Sequence, residues 1–143
     1  MNDLLHKELT SRIIHCFYTV YNTLGFGFLE KVYEKALMIE LLKNGIKAEK
    51  QKPITVYYQD EIVGEYFADI MVEDTVILEL KATEFLVMEH ELQLINYLKA
   101  TDKEIGLLLN FGKKPEFRRK IFTNDKKQGN TSSLLNDKTT ETG

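Results

Sequence analysis

The sequence predicts a mixed α/β (α+β) protein of one domain, and three observations predict it. Apolar residues recur at helical steps over roughly residues 4–41; β-branched and aromatic residues then take over from Pro53; and a further helical pattern over 85–100 leads into the apolar run Ile105-Gly106-Leu107-Leu108-Leu109-Asn110-Phe111. A chain of 143 residues with 43% hydrophobic content is long enough to bury one core and too short for two domains of ordinary size.

The elements follow in order. Ile13, Ile14, Phe17, Val20, Tyr21 and Leu24 recur at steps of three and four, which predicts an amphipathic helix over about 4–24. The glycines of Leu24-Gly25-Phe26-Gly27-Phe28 break it. A second helix carries Leu29, Val32, Tyr33, Ala36, Leu37 and Leu41 on one stripe and stops at Lys43-Asn44-Gly45, where glycine suits a left-handed cap. Pro53-Ile54-Thr55-Val56-Tyr57-Tyr58 reads as a strand, Gln59-Asp60-Glu61 as a polar turn, and a new strand begins at Ile62. A further hairpin is expected from 65–72 and 76–82, with Glu73-Asp74-Thr75 as its loop. The run 105–111 reads as a buried strand. The ordered domain is expected over 1–123, and the polar residues 124–143 offer only Leu134 and Leu135 for burial, which predicts a disordered tail.

The charge balance narrows the function classes. A net charge of -3 gives no bulk attraction for nucleic acid, so any such binding must be local. Cys16 is the single cysteine, which excludes a disulfide framework or a cysteine-ligated metal cluster within one chain and fits a reducing compartment. The first residues lack a secretory pattern and no stretch is long and apolar enough to span a bilayer, so the expected location is the cytoplasm, with no membrane contact. A homo-oligomer is left open.

The hairpin carries charges inside apolar strands. On Val76-Ile77-Leu78-Glu79-Leu80-Lys81 alternate side chains share a face, so Glu79 and Lys81 project together, opposite to Val76, Leu78 and Leu80. On the partner strand Ala68, Ile70 and Val72 form the apolar set, with Asp69 facing the other way. Placing both apolar sets on one side of the sheet requires Val72 to pair with Val76, Ile70 with Leu78 and Ala68 with Leu80, which sets Asp69 across from Glu79. A slip of one residue would split the apolar sets and separate the charges. Two carboxylates at that distance repel one another unless a cation lies between them. Mg²⁺ takes oxygen ligands and is commonly held by one or two carboxylates together with substrate phosphate oxygens, and a lysine one strand step away can act on the attacking water and stabilise developing charge. A bare E-x-K in a strand would otherwise be a structural ion pair; the register-matched aspartate weighs against that.

Asp69, then Glu79-Leu80-Lys81 on the next strand, then a helix with Gln93 and Tyr97, resembles the signature of the PD-(D/E)XK nuclease superfamily. Upstream, Gly27-Phe28-Leu29-Glu30-Lys31-Val32-Tyr33 resembles the motif that names the GxxExxY proteins, a branch of that superfamily, and the likeness runs from about His6 to Ile121. The resemblance implies a restriction-endonuclease-like core, a mixed central sheet flanked by helices. It implies a nuclease that uses Mg²⁺, with Mn²⁺ as a substitute, to hydrolyse phosphodiesters, of DNA before RNA. It implies Asp69 and Glu79 as metal ligands, Glu30 as a further acidic residue acting on metal directly or through water, Lys81 as the catalytic lysine, and Gln93 and Tyr97 as a Q-x-x-x-Y element on one helical face. Ala68 stands where many members have proline.

Outside these motifs, Tyr33 is expected in the core and His90 on a solvated helix face. Lys113, Lys114, Arg118, Arg119 and Lys120 form a basic cluster that suits a phosphate backbone or simply a solvated face. The competing functional reading is a catalytically silent module on the same fold that binds nucleic acid or protein, and an oligomerising scaffold ranks below it. Retention of mutually repelling carboxylates favours the enzyme.

Overall fold

The computed structural model describes residues 6–127. Helix α1 (Lys7–Leu24) and helix α2 (Glu30–Lys43) come first, then strands β1 (Ala48–Tyr58), β2 (Glu61–Val72) and β3 (Val76–Lys81), helix α3 (Met88–Lys99), and strands β4 (Ile105–Phe111) and β5 (Pro115–Ile121). The first two helices end where glycines stand: Gly25 has φ 71° and its N–H donates to the Tyr21 carbonyl at 2.7 Å, and Gly45 has φ 76°. The expected helix-start residues 4 and 5 lie outside the described residues.

The strands form one sheet in the order β1-β2-β3-β4-β5. Neighbours are antiparallel except β3 and β4, which are parallel and joined through α3, so the sheet is mixed. Three strands depart from what the sequence predicts. β1 begins at Ala48 because Glu49, Lys50 and Lys52 of a polar stretch pair with β2 although that stretch carries no apolar alternation. β2 is continuous from Glu61, with a register shift beside Val56 and Tyr57 where two short strands were expected to meet. β5 was not expected at all: its residues are mostly charged, yet Phe117 and Ile121 pack on the core beneath α1 while alternate positions turn towards α3. Charge on an edge strand also blocks further strand addition.

Apolar residues fill both faces of the sheet. α1 and α2 cover Ile70, Val72, Val76, Leu78 and Leu80, together with Phe17, Tyr33, Leu37 and Phe111. On the other face Leu94 and Leu98 of α3 pack with Ile54, Met71, Ile77 and Leu108. β3 and β4 are therefore buried on both sides, which is why they read as continuous apolar runs. Gly106 lets α3 seat closely, since a Cβ there would come within 2.7 Å of Leu94 Cδ1.

The chain keeps its structure past the expected boundary at 123. Asn124–Lys126 form a 3₁₀ turn, and the buried Lys127 donates from Nζ to the Thr101 carbonyl at 2.8 Å. The remainder of the expected tail, 128–143, lies outside the described residues. Among the described residues no helix is long and apolar enough to cross a membrane.

Candidate functional site

The β2–β3 ladder follows the register set by the apolar faces, pairing Val72 with Val76, Met71 with Ile77 and Ile70 with Leu78. It then stops. The expected pairing of Ala68 with Leu80 is absent, and in its place two side chains bridge the strands: the Asp69 N–H donates to Glu79 Oε2 at 3.2 Å, and the Leu80 N–H donates to Asp69 Oδ2 at 2.8 Å. Each carboxylate thus accepts the amide that its neighbour strand would otherwise have given to a carbonyl. Asp69 and Glu79 are each tied to the other's strand across the gap.

Ala68 corrects the expected face. It packs with Ile54, Met71 and Ile77 under α3 and not with Ile70 and Val72. Strict alternation fails because Asp69 leaves the ladders on both its sides. On the β1 side, Lys50 pairs with Ile70 and Lys52 with Ala68, so Gln51 stands opposite Asp69 without pairing, at the left-handed φ of 51°. A left-handed non-glycine residue is uncommon and costs energy, and such positions gather at functional sites.

Glu30 opens α2, and with Glu34, Gln51, Asp69 and Leu80 it lines a cavity of about 230 Å³. Gln51 Nε2 donates to Glu34 Oε2 at 3.0 Å. Glu34 is buried and was missed in the sequence, although it lies one turn beyond Glu30 on the stripe of Tyr33, Leu37 and Leu41. A charge at that helical spacing inside a buried stripe was the available signal. Nothing in the sequence marks Gln51.

By strand alternation Glu79 and Lys81 share the face of Ile77, towards α3, and Lys81 acts electrostatically on both Asp69 and Glu79. Tyr97 lies within electrostatic reach of the same two carboxylates, one helical turn beyond Gln93 on α3. Gln93 and Tyr97 line a second cleft, of about 510 Å³, with Val56 and Tyr66. The rings of Tyr66 and Tyr97 stand 5.7 Å apart. The carboxylate gap therefore lies between a cavity below α2 and a cleft beside α3.

Burial dominates the electrostatics. It pushes the Glu79 carboxyl up to about 8 from 4.5, with the Asp69 charge adding to the rise, and it raises Asp69 as well, helped by Glu34 and Glu30. Burial, then the Glu79 and Asp69 charges, push the Tyr97 hydroxyl up to about 12, so Tyr97 stays a neutral donor at any ordinary pH. A buried carboxylate and a half-buried one that resist ionising together are a place where a cation is favoured. The donor set is all oxygen, which suits a hard divalent ion. Among the described residues no three His, Cys, Asp or Glu side chains stand grouped as a ready metal site. The close pair is Asp69 with Glu79, and two carboxylates suffice for an ion that keeps waters and takes phosphate oxygens.

The other expected residues have local duties. Tyr33 is buried; its hydroxyl donates to the Gly25 carbonyl at 2.6 Å and accepts from the Phe28 N–H at 3.2 Å, and its ring stacks on Phe111 at 4.3 Å. The His90 Nδ1 accepts the Val87 N–H at 3.2 Å and caps α3. Within the basic cluster Arg118 and Lys120 both pair with Glu91 of α3, and Lys113 stands 4.0 Å from Glu84.

A mixed sheet flanked by helices, with an acid pair across a parted hairpin and a lysine two residues after the second acid, defines a restriction-endonuclease-like α/β core. The family model described as the PD-(D/E)XK nuclease superfamily matches residues 7–120, and the chain belongs to that superfamily. No curated protein and no solved structure matches it.

Proposed function

We propose that the protein is a Mg²⁺-dependent nuclease that hydrolyses phosphodiester bonds of DNA, with Mn²⁺ able to replace Mg²⁺. The observation that carries this reading is the exchange of ladder bonds for the reciprocal Asp69 and Glu79 bonds to backbone N–H groups. Those bonds use one oxygen of each carboxylate and hold both groups in a fixed orientation. Asp69 and Glu79 would hold the ion, and Glu30, exposed at the rim of the α2 cavity, would act on it through water. The ion supplies Lewis-acid activation of a water and neutralisation of phosphate charge.

The remaining steps belong to side chains. Lys81 donates to the attacking water and to the oxygens that gain charge in the transition state. Gln93 and Tyr97 donate to the phosphate from the α3 side, with Tyr97 neutral. The stretch from Gly27 to Tyr33 supports placement in the GxxExxY branch, where Tyr33 secures the loop that delivers Glu30.

Purified protein is to be incubated with single-stranded and duplex DNA and with RNA, in Mg²⁺, in Mn²⁺ and in chelator. Cleavage of DNA with either ion and none in chelator is expected. Cleavage that persists in chelator, or none with any substrate, overturns the reading.

A further inference from the structure

Three loops meet beside the catalytic strand at a hollow of about 380 Å³: the stretch from Phe26 to Leu29 before α2, the stretch from Ala82 to Glu84 after β3, and the Gly112-Lys113 turn after β4. Each loop is pinned from beneath by a polar side chain. The buried Tyr33 hydroxyl binds the first at Gly25 and Phe28. The buried Asn110 clamps the second at both ends of Thr83, accepting its N–H at 3.0 Å and donating to its carbonyl at 3.0 Å. The Tyr21 hydroxyl lies 2.7 Å from the Gly112 carbonyl and 2.6 Å from that of Lys113. Gly112 can approach the second loop only because it has no side chain, since a Cβ there would fall 2.4 Å from the Thr83 carbonyl oxygen.

These rigid loops turn their largest side chains outward. Phe26 is 56% exposed, Phe28 48% and Phe85, next to Glu84 at the rim, 70%. Phenylalanine is normally buried, and loops held this firmly could have turned it inward. Aromatic rings kept in solvent on a braced support are a preorganised contact surface. We propose that this surface is a stacking platform for unpaired bases of single-stranded DNA, placed beside the cleavage site.

The occupant is argued from chemistry and position. The platform is one residue from Glu30 through Leu29 and one residue from Lys81 through Ala82, so a strand whose phosphate lies at the carboxylate pair would bring its neighbouring nucleotides onto it. Bases in a duplex are stacked on each other and offer no free face, whereas an unpaired base stacks on an aromatic ring whatever its identity. Lys113 stands at the rim with its side chain 68% exposed, and its 4.0 Å pair with Glu84 is too exposed to hold it from a phosphate. The inference rests on the nuclease reading for the substrate class, and it adds strandedness.

Binding is to be read apart from cleavage, by fluorescence anisotropy of labelled DNA in Ca²⁺ and separately in chelator. The wild type is compared with Phe85→Ala, Phe26→Ala and Phe85→Trp on a single strand and on a blunt duplex of the same sequence. The single strand is expected to bind at least about tenfold more tightly than the duplex. Each alanine variant should weaken that binding about fivefold, and Phe85→Trp should restore it. Equal affinity for duplex, alanine variants that bind like the wild type, or preference for RNA over DNA overturns the platform. So does a change of oligomeric state in Phe85→Ala with DNA binding unchanged, which would assign the surface to a second copy. Failure of cleavage with intact single-strand binding would sink the nuclease reading and leave the platform standing.

Discussion

At one end of the β2–β3 pair, residues 70–72 and 76–78 are joined by a regular ladder and buried between the helices of both faces. One residue further on, at Asp69 and Glu79, the same strands are joined by side chains, and the backbone amides bind carboxylates. The closed end gains from apolar burial and ordinary ladder bonds. The open end gives up ladder bonds for bonds to carboxyl groups, holds one of these buried and one half-buried where both resist ionisation, and sets strained Gln51 beside them. Apolar burial and paired carboxyl groups thus occupy adjacent stretches of one hairpin.

The largest contrast is expected in activity. On the proposed mechanism, in which Lys81 acts on water and transition-state charge and is no ligand, Lys81→Ala should lower metal-dependent cleavage at least about a hundredfold while leaving divalent-ion affinity near that of the wild type. Asp69→Ala should lose affinity and cleavage together. Calorimetric titration beside a cleavage assay separates them, and equal loss of ion binding in both variants would show that Lys81 serves only to support the fold. At the closed end the order reverses. Leu78→Ala, at a fully buried position, should cost about 2–5 kcal/mol in urea unfolding with ion affinity unchanged.

The contrast also explains what was legible in the sequence. The closed end was readable because apolar alternation on two strands admits one register, and the loop of Glu73, Asp74 and Thr75 follows from it. The juxtaposition of Asp69 and Glu79 came from the same count. The parting of the strands was not readable, since a carboxylate that binds a backbone amide leaves no periodic trace, and Ala68 consequently fell on the unexpected face. Gln51 escaped because its left-handed φ is imposed by its surroundings and not by its type. β5 escaped because Glu116, Arg118 and Lys120 interrupt its apolar positions, and the α3 partner of Arg118 and Lys120, Glu91, lies far away in sequence.

A smaller effect separates the ends by pH. Glu79 has its folded value raised from 4.5 to about 8, first by burial and then by Asp69. Between those two values the folded protein keeps a proton that the unfolded chain has released, so stability falls as pH rises across the window, by an amount on the order of a few kcal/mol. Melting in chelator should show this fall from pH 5 to pH 8, and Glu79→Gln should flatten it. Mg²⁺ should stabilise the protein more at pH 8 than at pH 5, because it replaces the proton between the carboxylates. A melting temperature independent of pH in chelator would mean that the pair ionises freely and needs no cation.

The smallest effect tests whether strain belongs to the open end. Gln51 carries two opposing contributions: a left-handed backbone at φ 51° and a 3.0 Å bond to the buried Glu34. Gln51→Gly and Gln51→Ala both remove the bond, so their difference leaves the backbone. Ala keeps a Cβ in a conformation that costs an L-residue roughly 1–2 kcal/mol, and Gly loses about 0.5–1 kcal/mol through its freer unfolded chain. Gln51→Gly should therefore be the more stable of the two by about 0.5–1 kcal/mol in urea unfolding. The same exchange at Gln59, left-handed in the β1–β2 turn and remote from the carboxylates, gives the reference for a left-handed site that turn geometry alone imposes. If Gln51→Ala equals Gln51→Gly while the Gln59 pair differs, the backbone opposite Asp69 relaxes once the Glu34 bond is gone, and that bond holds the strain in place. If both pairs differ alike, the left-handed turn at Gln51 is set by the sheet itself, and Asp69 is parted from β1 whether or not Glu34 is engaged.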